Sequence, residues 1–338
     1  EQAGVKMEFQ AIELDYFPRP AIALQQVDLT IPNYGEGTIA EIRLAPAILP
    51  LLGGDLFLAH LSLEKPEFSL NLPASKSKKS PAKAGQDDGL EAALVGGFAI
   101  LGQVSPDFSL AINAGQLKIN RDQQLLEAGG LDLNLAVTVT DARDASATLR
   151  SEAAVLTVRH NGHQEVLKGI ELNGSIAIDG DTTGLTLKRL ALDEPGLEVS
   201  GTIEQSSATP SVTMALSGKN IDVDATRQVA LSLGGDVAVV GEIFKYLRGG
   251  MVSQINVRSQ GRSAAELGEL QNIRIEGKLQ NGSVSIPEIE LDLTESVGDV
   301  LVADGILQGS GMSTRLEGSS AHDGSLKVGL ADDTDLFQ

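Results

Sequence analysis

The sequence predicts a mainly β protein: a long, strongly curved antiparallel sheet with two or three inserted or capping helices. Two stretches carry that prediction. IAIDGDTTGLTLKRLALDEPGLEVSGTIE from Ile176 and IRIEGKLQNGSVSIPEIELDLTESVGDVLVADGILQG from Ile273 both alternate apolar and polar residues, the mark of strands with one buried face. Turn residues punctuate them. Asn281-Gly282 is expected to close a hairpin, because a type I′ turn needs φ > 0 at both central positions. Composition is the third observation: 37 glycines among 338 residues suit many tight turns. A sheet of this length must curl, split or close, and its edges need cover.

Taken in order, residues 7–31 read as strands, MEFQAIELDYF and then IALQQVDLTI. Asn33-Tyr34-Gly35-Glu36-Gly37 is a turn cluster. TIAEIRLA resumes strand, PAILPLLGG reads as a short helical or irregular connection, and DLFLAHLSLEKPEFSLNLP gives two more strands, completing a first β unit over 1–73. Composition then breaks. Residues 74–89, ASKSKKSPAKAGQDDG, are expected to form a mobile Lys-rich linker. Beyond it, Leu90, Leu94, Phe98 and Leu101 form an apolar stripe at helical spacing, with Asp87 or Asp88 as cap and Gly96-Gly97 working against the helix. The strand period returns at DFSLAINAGQLKIN and holds to about Lys219. Val229, Leu233, Val237, Val240, Phe244 and Leu247 then lie on one face of a helix near 224–248, with Gly234-Gly235 as a kink and Gly249-Gly250 as its stop. Strands resume to the end, so 90–338 reads as continuing β repeats around that helix.

Hydrophobic residues make up 42% of the chain but aromatics only 3%, with Trp 0, so the apolar surface is almost wholly aliphatic. A formal charge of -20 argues against nucleic acid, which proteins neutralise with Lys and Arg. It argues equally against broad contact with an anionic membrane, though not against a local one. Cys 0 excludes disulfides, zinc-thiolate sites and thiol nucleophiles, and leaves the compartment open. The apolar run ALVGGFAILGQV from Ala93 falls short of the ~20 residues that span a bilayer. Val229–Leu247 is long enough but carries Asp236, Glu242 and Lys245. The chain opens at Glu1 without an initiator Met or signal pattern, and is read as beginning downstream of a longer protein's start. ADDTDLFQ, without an obvious cap, is read as an end that also falls short.

Several constellations resemble sites and reduce to turns. His160 and His163 flank Asn161-Gly162 on an expected hairpin, with no third ligand near. Asp179-Gly180-Asp181 begins like a calcium loop, but Leu190 stands where the bidentate Glu is required. Asn173-Gly174-Ser175 and Asn281-Gly282-Ser283 match glycosylation sequons and are sufficiently explained as turns. Lys76, Lys78, Lys79 and Lys83 could touch anionic head groups, yet Asp87, Asp88 and Glu91 dilute them and a solvated linker is favoured. No phosphate-binding, nucleophile-elbow or dinucleotide motif occurs. No catalytic residue, metal site or cofactor is therefore expected.

Three stretches together resemble the bacterial AsmA-like proteins. GEGTIAEIRLAPAILPLLGGDLFLAHLSLEKPEFSLNLP is similar to their N-terminal region, with Pro66 before the extended strand. LAINAGQLKINRDQQLLEAGGLDLNL is similar to the next unit, although its turn is Asn113-Ala114-Gly115 where the family usually has Asn-Gly. The later repeats resemble the strand–Gly–strand and IPEIELDL units of AsmA, TamB and YhdP relatives. The resemblance spans most of the chain and rests on degenerate patterns. It implies a periplasmic body held to the inner membrane by an N-terminal anchor. It implies a U-shaped β-groove related to the chorein-type bridge-like lipid transfer proteins, carrying phospholipid between membranes in outer-membrane biogenesis.

Aliphatic alternation suits that role physically. An acyl chain in water costs about 0.8 kcal/mol per CH₂, so its path must be shielded along its length. The candidate lining is Leu131, Leu133, Leu135, Val137 and Val139 on one strand, Ile176 and Ile178, Leu185 and Leu187, and Ile289, Leu291 and Leu293. The same positions equally suit a closed core. A second reading is therefore a dry β-scaffold for envelope assembly acting through protein contacts. A hydrolytic β-domain ranks last, since such sites need aromatic platforms or a close carboxylate pair.

Overall fold

In the computed structural model the chain forms two compact units, residues 1–183 and 184–338. The structure describes residues 5–16, 20–55, 57–72, 89–121, 124–141, 143–160, 162–234, 238–287, 290–316 and 319–330. The first unit contains β1 (Lys6–Asp15), β2 (Ala21–Ile31), β3 (Gly35–Pro46), α1 (Ile48–Gly53), β4 (Leu58–Glu64), β5 (Glu67–Leu72), α2 (Gly89–Val104), β6 (Asp107–Arg121), β7 (Gln124–Asp141), β8 (Asp144–His160) and β9 (His163–Asp179). The division falls within β10 (Thr182–Leu192). There follow β11 (Leu197–Ser206), β12 (Ser211–Asp222), α3 (Val223–Gly234), α4 (Ala238–Tyr246), β13 (Leu247–Gly261), a 3-10 turn at Ala265–Gly268, β14 (Ile273–Ile286), β15 (Leu291–Ala303), β16 (Ile306–Leu316) and β17 (Ser319–Gly329). The expected mainly β architecture with few helices is the one observed.

In the first unit β1, β2 and β3 form an antiparallel meander. β4 and β5 are two halves of one lane, both antiparallel to β3. The same two halves run parallel to β6. A hairpin cannot join parallel neighbours; a crossover of a dozen or more residues, usually with a helix, is required. That requirement explains why the break in composition and α2 fall between β5 and β6. Residues 74–88 of the predicted linker, including its lysines and Asp87 and Asp88, lie outside the described residues. From β6 to β9 the unit is again an antiparallel meander.

A row of bulges crosses these strands. Gln26, Lys65, Ala114, Gly130 and Gly169 all have φ between 48 and 62°. The registers align them across the sheet, with Ala40 between Gln26 and Lys65 and Ala154 between Gly130 and Gly169. One extra residue bends a strand and sharpens its twist. It also moves the apolar side chains to the other sequence parity, which keeps them on one face. Leu24 and Val27 in β2, and Leu167 and Ile170 in β9, show this three-residue step.

The second unit is an antiparallel meander from β11 to β17. Asn220, Gly250, Asn281, Glu295, Gly311 and Asp323 have positive φ, and the registers of β13 to β17 shift beside them. Asn281-Gly282 is therefore a bulge inside β14 rather than the predicted hairpin turn. Asn113-Ala114-Gly115 likewise lies inside β6, with Ala114 at φ 52°, whereas Asn173-Gly174 is regular strand inside β9. Turn and bulge place the same demand on the backbone, a residue that tolerates φ > 0. The single helix expected near 224–248 is two, α3 and α4, with Val237 outside the described residues. Asp222 Oδ1 caps α3 by accepting the Ala225 N–H at 3.1 Å. Leu247 and Gly249-Gly250 belong to β13, where Asp224 Oδ2 accepts the Gly250 N–H at 3.0 Å.

Candidate functional site

Each unit carries an aliphatic face covered over only part of its extent. On β7, Leu131, Leu133 and Leu135 are half-buried and Val137 and Val139 buried, while Asp132, Asn134, Ala136 and Thr138 between them are exposed. The change along the row comes from α2. Its buried Phe98 packs on Val137, Val139, Ala145 and Ile178, with Leu135, Ala147 and Ile176 beside them. Five predicted lining residues, Leu135, Val137, Val139, Ile176 and Ile178, thus meet under one helix. Leu131 and Leu133 lie outside that cluster, paired in register with Ala153 and Ser151 of β8.

The apolar face reappears around Leu24, Val27, Ile39 and Ile42, with Leu44, Leu61 and Phe68 half-buried against them. These residues are absent from the sequence-based candidates. Their signal was alternation broken by one residue at Gln26, which hides the shared face of Leu24 and Val27. Met7, Phe9, Ile12 and Leu14 of β1 pair in register with Leu29, Val27, Leu24 and Ile22, and are exposed.

In the second unit Leu291 pairs with Ile286 and Leu293 with Val284. Both are half-buried, and Leu293 packs against the cluster of Val223, Val252, Leu279 and Val284. Beside it α4 covers the sheet through Ile243 and Tyr246 and encloses an apolar cavity of about 100 Å³ over Val252, Leu279 and Leu307. Gly277 and Gly309 lie on its wall and contribute no side chain. An apolar cavity of this scale stays dry and admits hydrocarbon. Leu187 is half-buried, Leu185 is exposed, and Ile289 lies outside the described residues.

The larger concavities have a different chemistry. One of about 650 Å³ is lined by Gln254, Asn256, Arg274, Glu276, Lys278 and Lys327 among others, and Arg274 pairs with Glu276 at 2.8 Å. Another of about 570 Å³ in the first unit includes Thr30, Thr38, Glu67, Lys118 and Glu127. Both are open and carry charges of both signs, so they do not suit an acyl chain. His160 and His163 face each other where β8 meets β9, and His160 Nδ1 lies 3.0 Å from Gln124 Nε2. Asp181 Oδ1 accepts from Arg143 Nη1 at 2.6 Å. Among the described residues no group of three or more His, Asp or Glu is placed to hold a metal ion, and no helix is long and apolar enough to cross a membrane.

The aliphatic faces can therefore bind by burial alone, at about 0.8 kcal/mol for each methylene removed from water. No family model, curated protein or solved structure matches the chain.

Proposed function

We propose that this chain is a non-enzymatic lipid-binding module, the periplasmic part of an AsmA-like protein anchored in the inner membrane. It holds phospholipid acyl chains against its aliphatic faces on their way between inner and outer membrane. The observation that carries this reading is the incomplete cover of those faces. Leu131 and Leu133 are half-buried beyond the cluster under α2, and Leu291 and Leu293 remain half-buried in the second unit. The near absence of aromatic residues supports it, because an aliphatic surface accepts chains of differing length without a shaped pocket. The AsmA-like resemblance supplies the compartment and the direction of the proposal.

Lipid extraction with native mass spectrometry of the purified protein tests it. Phospholipid that co-purifies and leaves on denaturation is the expected result. A lipid-free protein that also refuses labelled phospholipid would overturn it in favour of a dry scaffold working through protein contacts. Gly277→Leu offers an internal check. It is expected to fill the apolar cavity and lower the lipid held by the second unit, since a Cβ built at Gly277 meets its nearest neighbours only at 3.6 Å.

A further inference from the structure

The five most exposed large apolar side chains on the described chain gather at one end of the first unit. They are Leu49 at 82%, Leu52 at 81%, Tyr16 at 78%, Ile100 at 67% and Leu14 at 58%. The registers bring them together. Asp15 pairs with Ala21, Ile22 with Leu44, and Ala45 with His60, so the end of β1 and all of α1 sit at the same strand ends. Ser105, just past α2, donates from Oγ to the Leu58 carbonyl at 2.5 Å, which fixes the last turns of α2 beside them.

This end is a knob rather than a groove. α1 has no buried residue, and nothing lies within 4 Å of a Cβ built at Gly53 or Gly54. From Ala47 to Gly54 the sequence AILPLLGG carries no charge. Apolar patches of this kind mark protein or membrane contacts. The charges at its rim decide between them. Arg43 is held by Glu41 at 2.9 Å and Asp15 at 3.4 Å, and Asp55 stands just beyond α1. A second copy docked knob to knob would bring a second rim of carboxylates up to this one, a juxtaposition of like charge that costs free energy. Anionic lipid would be repelled for the same reason. A zwitterionic bilayer has neither penalty, and hydrocarbon receives a protruding aliphatic knob without needing a matching shape. Tyr16 is of the type that sits at the membrane–water interface.

We propose that α1, with Tyr16, Leu14 and Ile100 around it, docks the first unit peripherally on a zwitterionic membrane surface. The contact is centred on α1 at the strand ends, and it shares only Leu14 with the face proposed to hold lipid tails.

Flotation with phosphatidylcholine vesicles tests it. The protein is expected to float, and the double variant Leu49→Asp, Leu52→Asp to bind at least tenfold more weakly with an unchanged circular dichroism spectrum and melting temperature. Adding phosphatidylglycerol to the vesicles is expected to weaken binding. The variant Leu133→Asp, aimed at the lipid-holding face, is expected to float like the parent protein. Failure to float, or equal flotation of the double variant, would overturn the proposal. So would concentration-dependent self-association, seen in sedimentation velocity, that the double variant abolishes; it would assign the knob to a second copy. Either result leaves the mass-spectrometric test of lipid loading untouched.

Discussion

Gly130 of β7 and Ala154 of β8 face each other on the bulge row of the first unit, and a Cβ on Gly130 would lie 3.0 Å from that of Ala154. Gly130 has φ 62°, a backbone that glycine adopts without strain, and Ala154 leaves little room for a side chain there. Ala154 is exposed, so a longer side chain can turn to solvent, and Ala154→Leu is expected to cost below about 0.5 kcal/mol. Gly130→Ala should cost about 1–2 kcal/mol through its left-handed backbone. Urea midpoints measure both, and an unchanged midpoint for Gly130→Ala would show that this row yields without strain.

Phe98 is the buried anchor of α2 on Val137, Val139, Ala145 and Ile178. Phe98→Ala is expected to cost about 3–5 kcal/mol if the site does not collapse. The same variant should bind more of a hydrophobic dye, because the aliphatic row beneath loses its cover.

Leu133→Asp and Leu291→Asp each place a carboxylate on the aliphatic face at a half-buried position. Both are expected to fold and to lower phospholipid loading by native mass spectrometry. Unchanged loading in a folded variant would assign the lipid to another surface.

Two exposed-charge contacts should differ in weight. Asp224 Oδ2, in the first turn of α3, accepts the Gly250 N–H of β13, a contact that Asp224→Ala removes. The loss is expected to be about 1.5–3 kcal/mol, as for hydrogen bonds to charged groups. Arg143 and Asp181 pair at 2.6 Å, but with side chains 60% and 55% exposed. Arg143→Ala should cost below ~1 kcal/mol. Thermal denaturation of the two variants side by side checks the order.

The strands and their aliphatic side were legible because alternation is a local property. β7 reads directly as Leu131, Leu133, Leu135, Val137 and Val139. What stayed hidden depended on long-range pairing. Asn281-Gly282 announces φ > 0, and only the neighbouring strands decide whether the chain turns back there or bulges and continues. Leu24 and Val27 share a face that strict alternation denies them. The apolar stripe of α2 was visible, but a stripe does not say which strands it will cover. So the sequence led to the aliphatic residues under α2 without revealing that a helix closes over them.

The parallel seam between β4–β5 and β6 bears on how the first unit forms in time. Every other strand pair from β1 to β3 and from β6 to β9 joins neighbours along the chain, and each can zip from its own connection. His60 and Ser109, hydrogen-bonded across the seam, are 49 residues apart. Closing that span loses chain entropy before any seam contact compensates it, and contacts of high sequence separation slow folding. The two meanders are thus expected to order first and the seam last, with low φ-values at Ser62 and Ala111. Until it closes, both unpaired lanes are open strand edges, and the interval before closure is when a newly made chain is most exposed to pairing with another copy.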